Sequence, residues 1–301
     1  MKWTIPAKTF LVGEYVALSG GPAIVLTTSP CFEITLTDHA GLQGIHPESP
    51  AGRWWAQHDI QHAGLEWHDP YQGCGGMGAS SAQFLGAYYA SQYVESVIVS
   101  TSSPEQRSNS LIKQAIDQDK MLDAYFQVAW QGVGVSPSGY DVLAQSMFGC
   151  VYLNRQKASY QTYVWPFQDL AFILIHTGEK LITHHHLHDL NRLDGIDVLE
   201  GIVESARMAF DQNNSTQLVA AVRAYHEQLL VMNLVAAHSV QAIELLKQQQ
   251  DILAVKGCGA LGADVLLLLV PALSLAQQVQ KLSDRGAVIL ATSRDSPGDL
   301  L

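Results

Sequence analysis

The feature that most constrains the fold is a glycine-rich segment, Gly73-Cys-Gly-Gly-Met-Gly-Ala-Ser-Ser-Ala82. Glycine permits positive φ and close backbone approach, so several N–H groups in such a segment can converge on one anion. The residues that follow favour a helix to about residue 97, and its N-terminus would add the positive end of the helix dipole. The segment therefore predicts a phosphate-binding loop; the alternative is a flexible turn in which Ser80 or Ser81 caps the helix.

Two familiar phosphate-binding patterns do not fit this segment. It contains no Gly-Lys-Ser/Thr sequence, which excludes a Walker A loop. No clear strand precedes it, which argues against a dinucleotide-binding fingerprint. The phosphate site that it predicts is therefore of another kind.

Charged residues flank a second glycine turn near the start, Pro6-Ala-Lys-Thr-Phe-Leu-Val-Gly-Glu-Tyr15. Residues 9–12 predict a strand, which puts Lys8 at its start and Glu14 at its end. Lys8 is suited to hold a phosphate or to orient an acceptor hydroxyl. The alternative is an edge lysine and a surface acid with no chemical role.

A third turn, Ser136-Pro-Ser-Gly-Tyr-Asp141, precedes an apolar helical stretch. Its proline and glycine fix a tight turn, so Asp141 stands where the helix begins. There Asp141 either caps the helix or accepts a proton from, or orients, a substrate hydroxyl that attacks phosphorus. A last glycine-rich segment, Lys256-Gly-Cys-Gly-Ala-Leu-Gly-Ala263, comes before a predicted strand and is typical of a backbone turn that approaches a ligand.

The pattern of predicted elements indicates an α+β protein. Residues 194–247 are helical with a break at residues 213–214, and the chain then ends with a strand, a helix and a strand. This order predicts an α+β sandwich and argues against a doubly wound sheet. The composition changes near residues 165–168, which places two domains at residues 1–166 and 167–301. Further predictions are strands at residues 32–36, 171–175, 264–270 and 287–292, helices at 111–131 and 272–284, and a polar, loop-like region at 38–75.

Composition and charge argue against several classes of function. The 301 residues carry a formal net charge of -11, whereas a nucleic-acid partner calls for a basic surface. The four cysteines lack paired spacing, which argues against a disulfide framework and a structural zinc site. No export signal is apparent at the N-terminus, and no apolar run is long enough to span a bilayer. The sequence therefore predicts a cytoplasmic protein with no membrane partner.

Together the four segments resemble the GHMP kinases, the family of galactokinase, homoserine kinase, mevalonate kinase and phosphomevalonate kinase. Their order matches: a Pro-x-Lys…Gly-Glu turn, a Gly-x-Gly-x-Ser-Ser loop, a Pro-Ser-Gly-x-Asp turn and a late glycine-rich turn. The resemblance extends from Pro6 to Val270. It implies a two-lobed GHMP kinase fold, with an N-terminal ATP-binding, ribosomal-protein-S5-domain-2-like lobe and a C-terminal ferredoxin-like α/β sandwich lobe.

The resemblance also implies cofactors and a role for each matched residue. ATP and Mg²⁺ are the expected cofactors, and a small molecule is the expected partner. Asp141 matches the aspartate that activates or orients the acceptor hydroxyl. Lys8 matches the lysine that pairs with this aspartate and stabilises charge on the transferring group, and Glu14 is expected near the substrate. The residues expected to cradle the ATP phosphates are Gly76, Gly78, Ala79, Ser80 and Ser81, with Ser80 or Ser81 as Mg²⁺ ligand, and those expected to shape the substrate cleft are Gly257, Gly259 and Gly262.

Within the family, the mevalonate-pathway kinases fit best. The Pro-Ser-Gly-Tyr-Asp141 turn and residues 172–183 resemble mevalonate kinase. Gly13-Glu-Tyr15 is more similar to phosphomevalonate kinase, because mevalonate kinases usually carry Gly-Glu-His there. The hypothesis is transfer of the ATP γ-phosphate to mevalonate, with phosphomevalonate kinase as the alternative. A homodimer stays an open question.

Two positions depart from the family pattern. Mevalonate kinases carry a Mg²⁺-binding glutamate eleven residues before the aspartate, and Trp130 occupies that position here. Leu261 stands in the last segment where the family has glycine. These departures motivate a rival hypothesis, a non-catalytic protein of the same fold that binds nucleotide or metabolite. If Mg²⁺ is bound, its ligand is Ser80 or Ser81 together with the nucleotide, or a substitute among Asp123, Gln127 and Gln131.

Two clusters of residues have less definite interpretations. A histidine cluster has the density of a metal site, but adjacent histidines point in different directions and no carboxylate pattern accompanies them. We favour a solvated helix start or substrate contacts for it. A tryptophan group is expected to form a local core, with the border of an adenine pocket as the alternative. The clusters are His184, His185, His186 and His188, and Trp54, Trp55 and Trp67.

Overall fold

The computed structural model describes residues 1–58, 60, 62–99, 117–132, 134–178 and 195–296. Its strands form one sheet of six and one of four, and the chain passes from the first to the second between residues 163 and 170. The histidine cluster at residues 184–188 lies outside the described residues. The strands of the first sheet are β1 (Lys2–Val12), β2 (Ala23–Thr37), β3 (Gly41–Gln43), β4 (Gly64–His68), β5 (Cys150–Asn154) and β6 (Ser159–Tyr163), and those of the second are β7 (Leu170–His176), β8 (Ala254–Cys258), β9 (Val265–Pro271) and β10 (Val288–Thr292).

The long strand β2 organises the first sheet, whose order is β3-β4-β2-β5-β6, with β1 also paired to β2. β2 is antiparallel to β1, β4 and β5, and it contains the strand predicted at residues 32–36. Phe32 and Ile34 are buried and alternate with more exposed neighbours, the period of a strand with one face on a core.

Four helices accompany the first sheet within the part of the chain that the structure describes. The helix predicted to follow the glycine-rich segment is α2, which begins at Ala79 within the last residues of that segment. The helix α3 confirms the described part of the helix expected at residues 111–131. Both α2 and α4 pack against β1, so two helices begin beside the strand that carries Lys8. The four helices are α1 (Pro50–Gln57), α2 (Ala79–Val99), α3 (Gln118–Ala129) and α4 (Tyr140–Met147).

The expectation that residues 38–75 are loop-like is wrong, because β3, α1 and β4 lie there. The Ser49 side chain caps α1 by accepting a backbone N–H at 3.2 Å, and a proline follows at the first helical position. Trp54 and Trp55 are buried in the main core of the molecule rather than in a separate local one. Trp67 is partly buried against the same core and stacks on Phe32 with ring centroids 5.1 Å apart.

The second sheet has the order β10-β7-β9-β8, and all its pairs are antiparallel. The predicted strands are confirmed, and the sheet excludes a doubly wound fold, which needs a mostly parallel sheet. The predicted helical break falls at Asn214, whose side chain accepts a hydrogen bond from the Gln217 N–H at 3.0 Å and caps the next helix. The helices of this half are α5 (Ile196–Asp211), α6 (Ser215–Val231), α7 (Ala237–Lys247) and α8 (Leu275–Asp284).

One buried apolar cluster joins the two sheets. It includes Leu11 and Ile24 from the first sheet and Phe172 and Leu267 from the second. Alternate residues of β7 and β9 point the other way, into a second cluster with α8. The second sheet is thus buried on both faces, which explains why β9 is continuously apolar. The four cysteines are unpaired, and no described helix is long and apolar enough to cross a membrane.

Candidate active site

Lys8 and Asp141 form an ion pair between β1 and the first turn of α4. The Lys8 Nζ lies 2.8 Å from the Asp141 Oδ1, with 10% of the lysine side chain and 35% of the aspartate side chain exposed. Gly139 caps α4 with a φ of +75°, and an added Cβ there would lie 2.7 Å from Leu122 Cδ2, so the turn needs glycine. The turn therefore presents a partly exposed carboxylate beside a nearly buried ammonium group.

The glycine-rich loop packs directly against Lys8. A Cβ on Gly78 would lie 2.7 Å from the lysine Cγ, and the Lys8 N–H donates to the Met77 carbonyl at 3.0 Å. Gly76 and Gly78 have φ values of +82° and +81°, in the left-handed region that glycine adopts without strain. A Cβ on Gly76 would lie 2.6 Å from Val265 Cγ2, so the loop lies between β1 and the start of β9.

The first turn of α2 supplies the hydroxyl groups of the site. Ala79 is the first helical residue, Ser80 is exposed, and Ser81 is buried with its hydroxyl donating to the Gly78 carbonyl at 3.0 Å. The first N–H groups of a helix have no partner within it and carry partial positive charge. Together with the glycine loop, this turn has the composition of a phosphate site.

Glu14 does not point into open solvent. Its carboxylate forms an ion pair with Lys256 of β8, and the lysine side chain is fully buried while 7% of the glutamate side chain is exposed. Lys256 Nζ also donates to the Gly257 carbonyl at 2.8 Å and lies 5.6 Å from the Tyr225 ring centroid. Burial opposes the charged form of Lys256, but Cys258 and the Glu14 carboxylate outweigh it and raise the lysine pKa above its ordinary value. The role expected for Glu14 at the substrate stays a prediction.

Sequence reasoning missed Lys256 as a partner because it treated residues 256–263 as one turn. The structure corrects this: residues up to Cys258 belong to β8, and the turn follows them. A lysine inside a short apolar strand run, Ala-Val-Lys-Gly-Cys, was the available signal, since a buried lysine needs a partner. Its partner lies 242 residues away in sequence.

The last glycine-rich segment, at residues 256–263, approaches the glycine-rich loop that precedes α2. A Cβ on Gly75 would lie 3.1 Å from Asp264 Cγ, just before β9. Gly257 and Gly262 lie backbone to backbone, because a Cβ on Gly257 would meet the Gly262 carbonyl oxygen at 2.6 Å. Gly259 has a φ of +85°. The structure thus brings the predicted glycine segments together around the Lys8–Asp141 pair and the Gly75–Gly76 turn.

Tyr15 and Leu261, which come from the second and the last glycine-rich segments, are in contact with each other. The Leu261 N–H donates to the Tyr15 hydroxyl at 3.0 Å, and Leu261 has a φ of +53°, unusual for a residue with a side chain. Burial raises the pKa of Tyr15 to about 12, so the tyrosine stays neutral at physiological pH. Their hydrogen bond holds the turn after β8 against the turn after β1.

Trp130, and not a carboxylate, occupies the position at which mevalonate kinases carry their Mg²⁺-binding glutamate. Trp130 directly follows α3 as its C-cap, with 39% of the residue exposed. Gln127 and Gln131, two of the suggested substitutes, line a cavity of about 460 Å³ between α1 and α3, which Trp55 also borders. Among the described residues, no group of three His, Cys, Asp or Glu side chains is placed to hold a metal ion.

Comparison with known proteins gives matches among solved structures. No family model and no curated protein matches the sequence. The mevalonate kinase of Methanococcus jannaschii matches with a TM-score of 0.68 at 13% identity, covering 97% of each chain. The phosphomevalonate kinase of Streptococcus pneumoniae matches with a TM-score of 0.73 at 15% identity, covering 97% of this chain and 98% of that one. The galactokinase of Lactococcus lactis, solved with galactose, matches with a TM-score of 0.66 at 13% identity, covering 97% of this chain and 92% of that one.

These likenesses extend over nearly the whole of each chain. The protein has the two-lobed α+β fold of the GHMP kinases, which confirms the fold that the four segments imply. At such low identity the likeness concerns the fold, and the roles of the individual site residues stay predictions.

Proposed function

We propose that this protein is an ATP-dependent kinase that phosphorylates a hydroxyl of a small metabolite, with mevalonate as the first candidate acceptor. The observation that carries the proposal is the 2.8 Å ion pair between Lys8 and Asp141, set against the glycine-rich loop at Gly78. This arrangement puts a carboxylate that can take a proton next to backbone that can hold phosphates.

In the proposed reaction, the acceptor oxygen bonds to the γ-phosphorus and the bond from that phosphorus to the β–γ bridging oxygen breaks. Asp141 orients the hydroxyl and takes its proton, while Lys8 offsets the negative charge on the transferring group. The loop at Gly76 and Gly78 and the first turn of α2 hold the phosphates through backbone N–H groups. Positioning and electrostatics supply most of the rate in such transfers.

Oxygen donors near the loop suit magnesium. Mg²⁺ prefers oxygen ligands, keeps several waters and binds mainly through substrate phosphates. The exposed Ser80 hydroxyl and the Ser81 oxygen, both in the first turn of α2, are the residues that would hold it. When bound, the ion would neutralise charge that develops between the β- and γ-phosphates.

Phosphomevalonate is the second candidate acceptor. Tyr15 stands where mevalonate kinases usually have histidine, and its hydroxyl is engaged by the Leu261 N–H and the Leu234 carbonyl. A phosphomevalonate kinase of Streptococcus pneumoniae with the same fold has been solved with phosphomevalonate and AMPPNP.

An ATP-consumption assay tests the proposal. Purified protein with Mg²⁺ is offered mevalonate, phosphomevalonate, homoserine and galactose separately, and Asp141→Asn is assayed beside it. We expect turnover with one acceptor, and a fall of about 10²–10⁴-fold in kcat for Asp141→Asn with ATP binding nearly unchanged.

Asp197→Asn is the matched control. Like Asp141, Asp197 is the second residue of a helix that starts after a left-handed glycine, here Gly195 with a φ of +98°. If Asp141 only stabilises its helix, the two variants behave alike and the catalytic assignment fails. ATP binding without consumption on any acceptor would favour the rival, a non-catalytic binding protein.

A further inference from the structure

Gln145 joins three parts of the candidate site, although the proposed reaction gives it no role. It lies on α4 one turn after Asp141, and only 1% of the residue is exposed. Its Nε2 donates to the Pro6 carbonyl at 2.7 Å and to the Gly78 carbonyl at 3.2 Å. One amide group therefore links α4, β1 and the glycine-rich loop.

The bond to Pro6 falls at an irregularity in the pairing of β1 with β2. The pairing of β1 with β2 shifts register between Ile5 and Ala7, on either side of Pro6. Two steps along β1 face four steps along β2, from Phe32 to Thr28, so the extra residues lie in β2 and the regular ladder is interrupted beside Pro6. A side-chain donor at this carbonyl fixes the strand just before Lys8.

The bond to Gly78 falls where the loop meets the same lysine. A Cβ on Gly78 would lie 2.7 Å from Lys8 Cγ and 3.1 Å from Gln145 Nε2. The Gly78 carbonyl also accepts the Ser81 hydroxyl at 3.0 Å, so the amide and the hydroxyl hold one carbonyl from two directions. The Lys8 side chain, the Gly78 backbone and the Gln145 amide are thus in mutual contact.

We propose that Gln145 is a positioning residue that holds the glycine-rich loop and β1 in fixed register with the helix that carries Asp141. Its catalytic consequence rests on the proposed kinase function. The Oε1 of this buried amide has no hydrogen-bond partner among the described residues, and an unpaired buried polar atom destabilises a fold, so the residue is costly unless the geometry that its Nε2 fixes is needed. The geometry fixed here is the spacing between phosphate-binding backbone and the Lys8–Asp141 pair.

The test replaces Gln145 with methionine, which keeps the length and removes the donor. Gln278→Met is the matched control, because Gln278 is also 1% exposed and donates through Nε2, to the Gln250 carbonyl at 3.0 Å, but lies on α8. Amide hydrogen exchange is followed at residues 7–10 and 73–82, and kcat and KM are measured for ATP and the acceptor. We expect faster exchange at both segments only in Gln145→Met, with kcat lower by about 10- to 100-fold and the acceptor KM nearly unchanged.

Each outcome decides the proposal. Exchange at these segments no faster than in Gln278→Met overturns it, and so does faster exchange with unchanged turnover in an active enzyme. If the wild type consumes no ATP, the kinase function fails, while local exchange still supports or overturns the positioning role.

A second variant serves if Gln145→Met does not fold. In Gln145→Glu the ionised carboxylate cannot donate to either carbonyl, whereas the protonated form can donate to one. After correction for the intrinsic pH effect, exchange at residues 73–82 should slow as the pH is lowered. A pH-independent rate overturns the proposal.

Discussion

Replacing Lys256 with methionine removes the cation from the most deeply buried ion pair of the described residues. Methionine matches the length of the lysine stem and suits the apolar surroundings. It leaves the Glu14 carboxylate, with 7% of the side chain exposed, without its counter-charge, and the Oε2 atom of that carboxylate already lacks a hydrogen-bond partner. Removing one partner of a buried pair costs about 3–5 kcal/mol. We expect Lys256→Met to lower the free energy of unfolding by that amount, a large part of the roughly 5–15 kcal/mol typical of a folded protein.

Urea denaturation measures this loss. With a slope of about 3 kcal/mol per M for a large domain, the midpoint should fall by about 1–1.7 M. Lys247→Met is the matched control, because Lys247 pairs with Glu244 at 2.9 Å while 37% and 57% of the two side chains are exposed. An exposed pair of this kind contributes less than about 1 kcal/mol.

A double-mutant cycle separates the ion pair from packing. Glu14→Gln alone leaves a buried ammonium group, so combining it with Lys256→Met should cost at least about 1–2 kcal/mol less than the sum of the single variants. Because the pKa of Lys256 is raised above 10.5, its contribution is complete at neutral pH and is lost only as the pH rises beyond that value. If Lys256→Met costs no more than Lys247→Met, or if the single effects simply add, the reasoning is refuted.

Two further variants test other parts of the structure. Gly78→Ala should reduce kcat by about 100-fold, because its Cβ would lie 2.7 Å from Lys8 Cγ. Gly73→Ala is the control, since Gly73 has a similar φ of +84° but no heavy atom within 4 Å of the added Cβ, so that only backbone strain is introduced. Equal losses of activity in the two variants would contradict a role for the clash with Lys8. Burial lowers the pKa of His226 from 6.5 to about 4, so the stability it contributes is present above pH 6.5 and is lost as the pH falls towards 4, by at most about 3 kcal/mol. Thermal unfolding against pH should show this acid slope in the wild type and a shallower one in His226→Leu; identical slopes would exclude His226 as the source.

The parts of the fold that local patterns specify were predictable. The strand at residues 32–36 and the start of α2 follow from alternation and from a glycine loop before a helix. The region at residues 38–75 was misjudged because its polar composition hides an eight-residue helix. The Ser49-Pro pair at its start was a usable helix signal.

Some contacts of the candidate site were likewise predictable from the sequence, and others were not. The proximity of Lys8 and Asp141 was anticipated through the resemblance to a family in which such residues pair, and the structure places them 2.8 Å apart. The partnership of Glu14 with Lys256 was not predictable from local pattern, since it depends on how two sheets pack. Gln145 was missed because a buried glutamine is recognised only once its acceptors are in place.

The position of the glycine-rich loop has a consequence for how such a protein can be divided. Gly75 and Gly76 come from the half of the chain that forms the first sheet, yet they rest on Asp264 and Val265 at the start of β9. A chain divided between β6 and β7 would therefore give two fragments, neither of which carries all the residues that shape the glycine-rich loop. The fragments would have to associate through their common apolar core before the loop took its shape, so that association of the fragments and formation of the loop would be one event.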